Sequence, residues 1–376
     1  MLIPVKYLHH MLPRNGAAAT YETYFFDTYD GDEAGDIATP RSNQPVGDSD
    51  IIQLDDTGWS IVSGKLNVAQ EGATPSNGEL EVLVDALFDR VAGLAYKVKV
   101  NKFDSGGILV MGFSVAADSN RRGASFLWRN GPEPRVYEGT AAVTGFNNVS
   151  TGVEYSLAVV LQLNRAFYLI KGGAFTDWTL HWVGRSWTTT EDIIACISPS
   201  TPNASDKFDD LWVGNLLGNW AVEGGLRTDS HPDSVSAPTT FVHDADFVLQ
   251  VNVGTISATA KVIKFRIQDA NNYWQITLDT TSSDLDEVVS GTPTQRATGA
   301  AMASSSVATL TAVGSTIRLW DDNSRIHNYA SATNFQTETD GEFTSGANVT
   351  DMFIYPRTFP TSGNDGAILD SAGVAS

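Results

Sequence analysis

Short runs of alternating apolar and polar residues follow one another along much of the chain. Five such runs occupy residues 80–84, 96–100, 157–163, 247–253 and 273–278. A period of two places every second side chain on one face of a strand, so each run predicts a half-buried β-strand. Turn residues such as Asn130-Gly131 separate the runs, and no amphipathic helical pattern interrupts them. The chain is therefore predicted to be all-β and to form antiparallel β-sandwiches.

Five sequence landmarks occur twice in the same order, which indicates that one domain was duplicated. The pairs are Trp59 followed by Gly64 with Trp220 followed by Gly224, residues 113–120 with 265–271, 135–139 with 287–291, 163–170 with 313–320, and 210–213 with 351–354. Each repeated unit is the size of a complete domain, far longer than the units of solenoids or propellers. We predict an N-terminal arm (1–20), a first sandwich (21–218), a second sandwich (219–357) and a C-terminal tail (358–376).

Several of these landmarks resemble a known superfamily. They are Phe25-Phe26-Asp27, the Gly58-Trp59 and Asn219-Trp220 pairs that precede apolar strands, and the closing stretches 208–213 and 350–354. Together they are similar to the concanavalin-like, laminin-G-like jelly-roll superfamily, in the form often met in bacteriophage virion proteins. The resemblance implies two tandem antiparallel jelly-roll sandwiches.

The same resemblance implies a function without catalysis. The first expectation is a structural or binding component of a bacteriophage virion, in the tail, fibre, baseplate, neck or capsid decoration. Its terminal arms would anchor it, and its partners would be other virion proteins and further copies of itself. The alternative is a carbohydrate-binding adhesin or lectin module that recognises a glycan on the host cell surface.

Composition and charge narrow the range of partners. The chain has 376 residues, a formal net charge of −20 and a pI near 4.5. A protein this acidic repels phosphate backbones and anionic headgroups, which disfavours nucleic acid and membranes as partners. Residues 1–7 contain Pro4 and lack the apolar core of a secretory signal, so we expect synthesis in a cytoplasm. The resemblance to phage proteins implies that this is the cytoplasm of a bacterial host. Cys196 has no second cysteine with which to form a disulfide.

Tryptophan supplies the candidate ligand contacts. Three Trp residues lie close together in the stretch 176–187 of the first unit. The full set of candidate glycan contacts is Trp128, Trp178, Trp182, Trp187 and Trp320. Their flat rings suit the apolar faces of sugar rings. The competing interpretation is that they fill the space between sheets or seal the contact between domains, since large aromatic side chains are usually buried.

Catalytic and metal-binding patterns are weak in this sequence. The Glu-x-Asp-x-x-Glu strand of jelly-roll hydrolases does not occur, nor does a Gly-x-Ser-x-Gly elbow, and the six histidines are scattered. We therefore predict no enzymatic activity and no cofactor. Residues 27–36 form an acidic, glycine-containing stretch that suits either a solvated loop or a bound Ca²⁺.

Overall fold

The computed structural model describes part of the chain, and all structural statements below concern that part. The described residues are 21–27, 29, 51–53, 59–68, 82–84, 87–102, 107–115, 122–129, 132, 134–162, 164–185, 187, 189, 191–200, 206–216, 230–231, 239–256, 260–345, 349–359 and 364–372. The N-terminal arm, the landmark at Trp220 and the predicted boundary near Gly218 lie outside them.

Nearly all regular structure in the described part is β-strand. The first group of strands is β1 (Tyr21–Asp27), β2 (Ile51–Gln53), β3 (Trp59–Ile61), β4 (Leu66–Val68), β5 (Val82–Val84), β6 (Leu94–Asn101), β7 (Ile108–Val115), β8 (Gly123–Trp128), β9 (Arg135–Glu138), β10 (Ala141–Thr144), β11 (Glu154–Leu161), β12 (Ala166–Gly172), β13 (Phe175–Gly184), β14 (Ile193–Ser200) and β15 (Lys207–Leu216). The second group is β16 (Ser230–His231), β17 (Thr239–Val242), β18 (Phe247–Asn252), β19 (Lys261–Asp269), β20 (Asn272–Leu278), β21 (Ser282–Val289), β22 (Thr292–Ala300), β23 (Val307–Val313), β24 (Thr316–Asp321), β25 (Ser324–Tyr329), β26 (Asp340–Ser345), β27 (Thr350–Pro356) and β28 (Thr358–Phe359), followed by the helix α1 (Asn364–Ser371).

These strands form four antiparallel sheets, which we name A to D. Sheet A has the order β28-β13-β12-β11-β6-β15-β4-β3, with β1 also paired to β15, and sheet B has the order β10-β9-β8-β7-β14-β5-β2. Sheet C has the order β16-β27-β18-β23-β24-β25, and sheet D has the order β17-β26-β19-β20-β21-β22. Sheets A and B enclose one apolar core and sheets C and D another. The protein is thus two tandem antiparallel β-sandwiches of the jelly-roll type, and the predicted fold class is confirmed.

The strand order repeats between the two sandwiches, as the predicted duplication requires. Strands β6 to β15 are repeated as β18 to β27, with the same neighbours in the same sequence. The run β13-β12-β11-β6-β15 of sheet A matches β25-β24-β23-β18-β27 of sheet C, and β10-β9-β8-β7-β14 of sheet B matches β22-β21-β20-β19-β26 of sheet D. Even a local irregularity recurs, because Asp210 in β15 and Asp351 in β27 have positive φ angles of 47° and 50°. Both occur where the strand shifts register against its neighbour.

The second sandwich packs against the first through the outer face of sheet C. Trp320 of β24 meets Trp182 of β13 and Phe146, with ring centroids 5.6 and 5.1 Å apart. Beside this cluster, Tyr355 of β27 meets the ring of Phe167 at 5.4 Å. These aromatic side chains are buried in the same apolar cluster as the interior of the first sandwich. The two sandwiches are therefore joined by a continuous apolar contact.

The described C-terminal residues pack on their own chain, whereas the resemblance implies a tail that anchors the protein to its partners. Strand β28 pairs with the edge strand β13 of the first sandwich, and α1 lies on the outer face of sheet A. There Leu369 and Ala372 are fully buried. The Lys97 ammonium donates to the carbonyl of Leu369 at 3.0 Å and also to that of Ala372. The tail thus forms a short helix whose apolar residues pack on the first sandwich of the same chain.

One glycine in the first sandwich is required by close packing. A Cβ atom at Gly145 would lie 2.1 Å from His181 Nε2, and that buried ring is fixed by a 2.9 Å contact with the Pro134 carbonyl. We therefore expect Gly145→Ala to destabilise the protein by about 1–3 kcal/mol, since overpacking forces rotamer and backbone shifts. Urea unfolding measures this cost. Gly314→Ala is the control, because no atom lies within 4 Å of a Cβ there and only its positive φ opposes the change. Equal losses in the two variants would contradict the packing argument.

Candidate functional site

The outer face of sheet D is polar, half-exposed and regular. Buried side chains, such as Ile263, Ile276 and Leu285, alternate with half-exposed ones over residues 261–265 of β19, 273–278 of β20 and 282–287 of β21. Cross-strand pairing places one polar side chain from each strand in a line across the sheet. We call this line the polar row: Thr240, Glu342, Lys264, Gln275, Asp286 and Gln295. The polar face consists of this row with Tyr273, Thr277, Asp284 and Asp340.

Hydrogen bonds and charges link neighbours along the row. The Lys264 ammonium lies 3.6 Å from a Glu342 carboxylate oxygen and 4.7 Å from the centre of the Tyr273 ring. Gln275 donates through Nε2 to Asp286 at 3.1 Å. Each of these groups keeps part of its surface in solvent, so the face presents fixed donors and acceptors together with one aromatic ring.

A second set of contacts orders the far edge of the face. Asp284 accepts from Gln295 Nε2 at 2.9 Å and from Ser282 Oγ at 3.0 Å. The hydroxyl of Thr298 also donates to it. The carboxylate is therefore held by three side chains from β21 and β22, which fixes its direction on an otherwise exposed edge.

The corresponding face of the first sandwich has different chemistry. The strands of sheet B that match β26, β19, β20 and β21 also place one residue each in a line across the sheet. These residues are Cys196, Gly112, Ser125 and Tyr137, and they correspond to Glu342, Lys264, Gln275 and Asp286 of the polar row. Cys196 and Ser125 are at most 1% exposed. The duplicated strands thus kept their pairing. In the first copy the row has buried small side chains at Cys196 and Ser125 and a half-buried ring at Tyr137, whereas in the second copy it is charged and open.

The sequence analysis missed a series of alternating carboxylates, of which Asp340 and Glu342 lie in β26. Glu338-x-Asp340-x-Glu342 places acidic residues at every second position leading into β26. Residues two apart in a strand share a face, and Glu342 belongs to the polar row. The Glu-x-Asp-x-Glu spacing found here differs by one residue from the Glu-x-Asp-x-x-Glu spacing of jelly-roll hydrolases. The period-two alternation of carboxylates was the signal that could have revealed it.

The structure buries most of the tryptophans proposed as glycan contacts. Trp128, Trp178, Trp182 and Trp320 are each at most 1% exposed. Trp182 also donates from its indole nitrogen to the buried Glu138. A ring without exposed surface cannot stack on a sugar, so for these four residues the packing interpretation holds. Trp187 is half-buried, with the Arg90 guanidinium 5.3 Å from its ring centre.

A cleft of about 220 Å³ opens where the two sandwiches meet. We call it the junction cleft. Its lining comes from the β10–β11 connection, from the β12–β13 hairpin, from the second sandwich and from the connection into β28. The lining residues are Asn147, Ala174, Phe175, Thr176, Asp177, Thr179, Asp246, Val313, Arg357 and Thr358.

Arg357 is the unusual member of this lining. Its side chain is buried, and burial lowers the pKa of the guanidinium to about 9. One nitrogen donates to Asn147 Oδ1, and the group lies 5.6 Å from the Phe146 ring centre. Nε and Nη1 have no hydrogen-bond partner among the described residues. Unpaired buried donors are rare in folded proteins and destabilise them.

The described residues give no support for a metal centre or a membrane span. No three His, Cys, Asp or Glu side chains in the described part are grouped so as to hold a metal ion. Of the predicted Ca²⁺ stretch, Asp27 is buried and accepts from the Tyr29 backbone at 2.7 Å, while residues 28 and 30–36 lie outside the described part. No helix of the described part is long and apolar enough to cross a membrane.

No protein-family model and no curated protein matches the chain. Among solved structures, a carbohydrate-binding module, CBM66 from Bacillus subtilis, is similar at 13% identity over 31% of this chain and 77% of that one, with a TM-score of 0.27. The lumenal domain of VIP36, solved with Ca²⁺ and Man2, is similar at 9% identity over 52% and 88%, with a TM-score of 0.35. Mouse laminin α1 domains LG4-5 are similar at 10% identity over 81% and 98%, with a TM-score of 0.24. Likenesses this slight carry no argument about function, which must rest on the site itself.

Proposed function

We propose that this protein is a non-enzymatic carbohydrate-binding protein and that its glycan lies on the polar face of sheet D. The observation that carries the proposal is the polar row, which crosses six strands with one polar side chain from each. Such a row is ordered by the sheet beneath it, so binding would not require the side chains to be rearranged. Pre-organised polar groups lose less entropy on binding.

The chemistry of the polar face suits sugar hydroxyl groups. A hydroxyl both donates and accepts, a carboxylate only accepts, an ammonium only donates, and an amide does both. Asp286, Lys264 and Gln275 supply these three kinds of group side by side. Tyr273 adds a ring against which the C–H groups of a sugar can pack. Neighbouring strands lie about 4.8 Å apart, so successive groups in the row can meet successive hydroxyls of an extended glycan.

Hydrolysis is the competing outcome on the same face. Asp340 and Glu342 are two residues apart in β26, or about 7 Å along a strand, and glycosidase carboxylates are roughly 5–9.5 Å apart. Against catalysis, Glu342 faces the Lys264 ammonium at 3.6 Å. The face is also open, so water would not be excluded from a reacting bond. Binding assays should therefore include chromatography of the glycan, and shortened products would contradict the non-enzymatic proposal.

A glycan array followed by calorimetric titration tests the proposal. We expect at least one oligosaccharide to bind the full chain. The double variant Gln275→Ala/Asp286→Ala should then weaken binding by about tenfold or more, since two polar groups are removed. Thr294→Ala is the matched control, because this exposed residue of β22 pairs with the buried Glu287 and lies on the opposite side of the strand from Gln295. An unchanged affinity in the double variant would show that the glycan does not bind the polar face.

The assignment to a virion stays a prediction, together with its partners, other virion proteins and further copies of this chain. Anchoring through the C-terminal tail loses its support, because α1 is docked on its own first sandwich. The predicted N-terminal arm lies outside the described residues.

A further inference from the structure

A second row of side chains lies beside the polar row on the outer face of sheet D, and it is largely apolar. In β17, β20, β21, β22 and β26 its members lie two residues from those of the polar row, so they share its face. The two rows are therefore about 7 Å apart. Among the members of the second row only Asp340 is charged. The others, which we call the apolar row, are Val242, Ile267, Tyr273, Val288 and Pro293.

A bulge in β19 places Ile267 in this row. Arg266 has a positive φ of 50°, and the pairing of β19 with β26 shifts register between Lys264 and Ile267. Ile267 therefore pairs with Asp340 on the outer face, while the Arg266 side chain is buried and donates to two backbone carbonyls. Bulges often re-aim a side chain next to a functional surface. Here the bulge turns an isoleucine outward at the point where an unbroken alternation would place the arginine.

The apolar row lies outside the core of its own sandwich. Val242 is 51% exposed, and Ile267 and Tyr273 are half-exposed. Among the described residues, neither of the latter two packs against the core of the second sandwich, and Val288 is buried outside both cores. Contiguous apolar side chains on an exposed face mark an interaction surface. A ligand on the polar row would therefore meet apolar surface along one side.

Charge decides which ligands this surface accepts. The polar face carries four carboxylates and the single ammonium of Lys264, and the whole chain has a net charge of −20. Acidic glycans and a second copy of this chain are therefore repelled. The carboxylates of Asp284, Asp286 and Glu342 already meet donors on the face, so a cationic ligand is not required to balance them. A neutral ligand fits this surface best.

We propose that the glycan of the polar face is neutral and carries methyl groups, in acetamido or 6-deoxy substituents, which pack on the apolar row while its hydroxyls meet the polar row. This inference rests on the proposed function and names the class of sugar that the same site takes. One substituted sugar unit spans the distance between the rows, with its methyl group against Ile267 and Tyr273. Burial of one methyl group corresponds to about fourfold in affinity.

Competition against the oligosaccharide found on the glycan array tests this inference with five free sugars. N-acetylglucosamine has an acetamido group where glucose has a hydroxyl, and L-fucose has a methyl group where L-galactose has a hydroxymethyl group. Glucuronic acid has a carboxylate in place of the hydroxymethyl group of glucose. At least one methyl-bearing sugar should displace the oligosaccharide from the full chain at about one fourth of the concentration that its hydroxyl counterpart needs, and its identity tells which substituent is recognised. Glucuronic acid should compete less well than glucose.

The double variant Val242→Thr/Ile267→Thr connects this preference to the apolar row. It should abolish the advantage of the methyl-bearing sugar, because hydroxyls replace methyl groups at two positions that keep contact with solvent. Val289→Thr is the matched control. This valine of β21 is 44% exposed, but it follows Val288 and so lies on the opposite side of the strand. The advantage should be unchanged in the control.

The outcomes separate this inference from the proposed function. If Gln275→Ala/Asp286→Ala loses the oligosaccharide while neither methyl-bearing sugar competes better than its counterpart, the polar face binds a glycan but this inference is wrong. It is also wrong if glucuronic acid competes better than glucose, or if the advantage persists in Val242→Thr/Ile267→Thr. If no glycan binds the chain, the proposed function and this inference are both wrong.

Discussion

Replacing Trp320 by alanine is expected to destabilise the protein by about 3–5 kcal/mol, the usual range for a buried Trp or Phe reduced to alanine. The indole is fully buried and packs against Trp182 and Phe146 at the contact between the sandwiches. Its removal leaves a cavity between two sheet faces that cannot collapse without moving a whole sandwich. We further expect the two sandwiches to unfold separately in this variant, because the apolar contact that couples them is broken.

Urea unfolding followed by tryptophan fluorescence measures both effects. Trp187→Ala is the control. That ring is only half-buried beside Arg90, so its removal should lower the free energy of unfolding clearly less than the removal of Trp320. A Trp320→Ala variant that unfolds in one transition at the wild-type urea concentration would contradict the account of the junction.

Acid is expected to destabilise the protein as the pH falls from about 6.5 toward 4, because two buried histidines must remain neutral. Burial lowers the pKa of His181 to about 3 and that of His243 to about 4. In the unfolded chain both titrate near 6.5, so between these values the unfolded state binds more protons. Their contribution to stability is complete above pH 6.5 and decreases as the pH falls from 6.5 toward the folded pKa values, below which no more is lost. The loss is on the order of 3 kcal/mol for each histidine by pH 4.

The contacts of the two rings explain why protonation is unfavourable. His181 is hydrogen-bonded through Nε2 to the Pro134 carbonyl, and its Nδ1 has no partner among the described residues. His243 accepts the Arg266 backbone N–H through Nε2 and contacts the Asp244 carbonyl through Nδ1. A second proton on His181 would lie on Nδ1, where it has no acceptor. A second proton on His243 would lie on Nε2 and displace the N–H of Arg266.

Stability measured by urea unfolding at several pH values tests this prediction. His181→Gln and His243→Gln should each give a shallower pH dependence between pH 6.5 and 4. Asp209 provides a control of opposite sign, since burial raises the pKa of its carboxyl to about 6. Asp209→Asn should therefore make the dependence steeper. If the free energy of unfolding depended on pH equally in the wild type and in both histidine variants, the account that these histidines are buried in the neutral form would be wrong.

The fold could be predicted from the sequence because its signals are local and repeated. The alternation in residues 273–278 became β20. Among the described residues, paired landmarks lie on matching strands, as Asp210 in β15 and Asp351 in β27 do. Period two identifies a strand with two unlike faces, and the duplication supplied the same evidence twice. Neither signal depends on knowing which strands become neighbours.

The candidate site could not be predicted in the same way. The polar row joins Glu342 to Lys264 and Gln275 through cross-strand register, which no single stretch of sequence reveals. The tryptophans did not indicate the site, because Trp182 and Trp320 lie in the contact between the sandwiches. Residues that meet in such a contact are far apart in the chain, so the sequence does not show that they are buried together. The contact of α1 with sheet A could not be predicted for the same reason, because Lys97 is far along the chain from the carbonyl of Leu369 to which it donates.

Hydrogen–deuterium exchange of the full chain, with and without the oligosaccharide found on the array, tests the central claim most directly. The account predicts that the glycan slows exchange in β19, β20, β21 and β26, whose side chains form the polar face, and leaves β7, β8, β9 and β14 of the first sandwich unchanged. Protection confined to the first sandwich, or to loops away from sheet D, would contradict it.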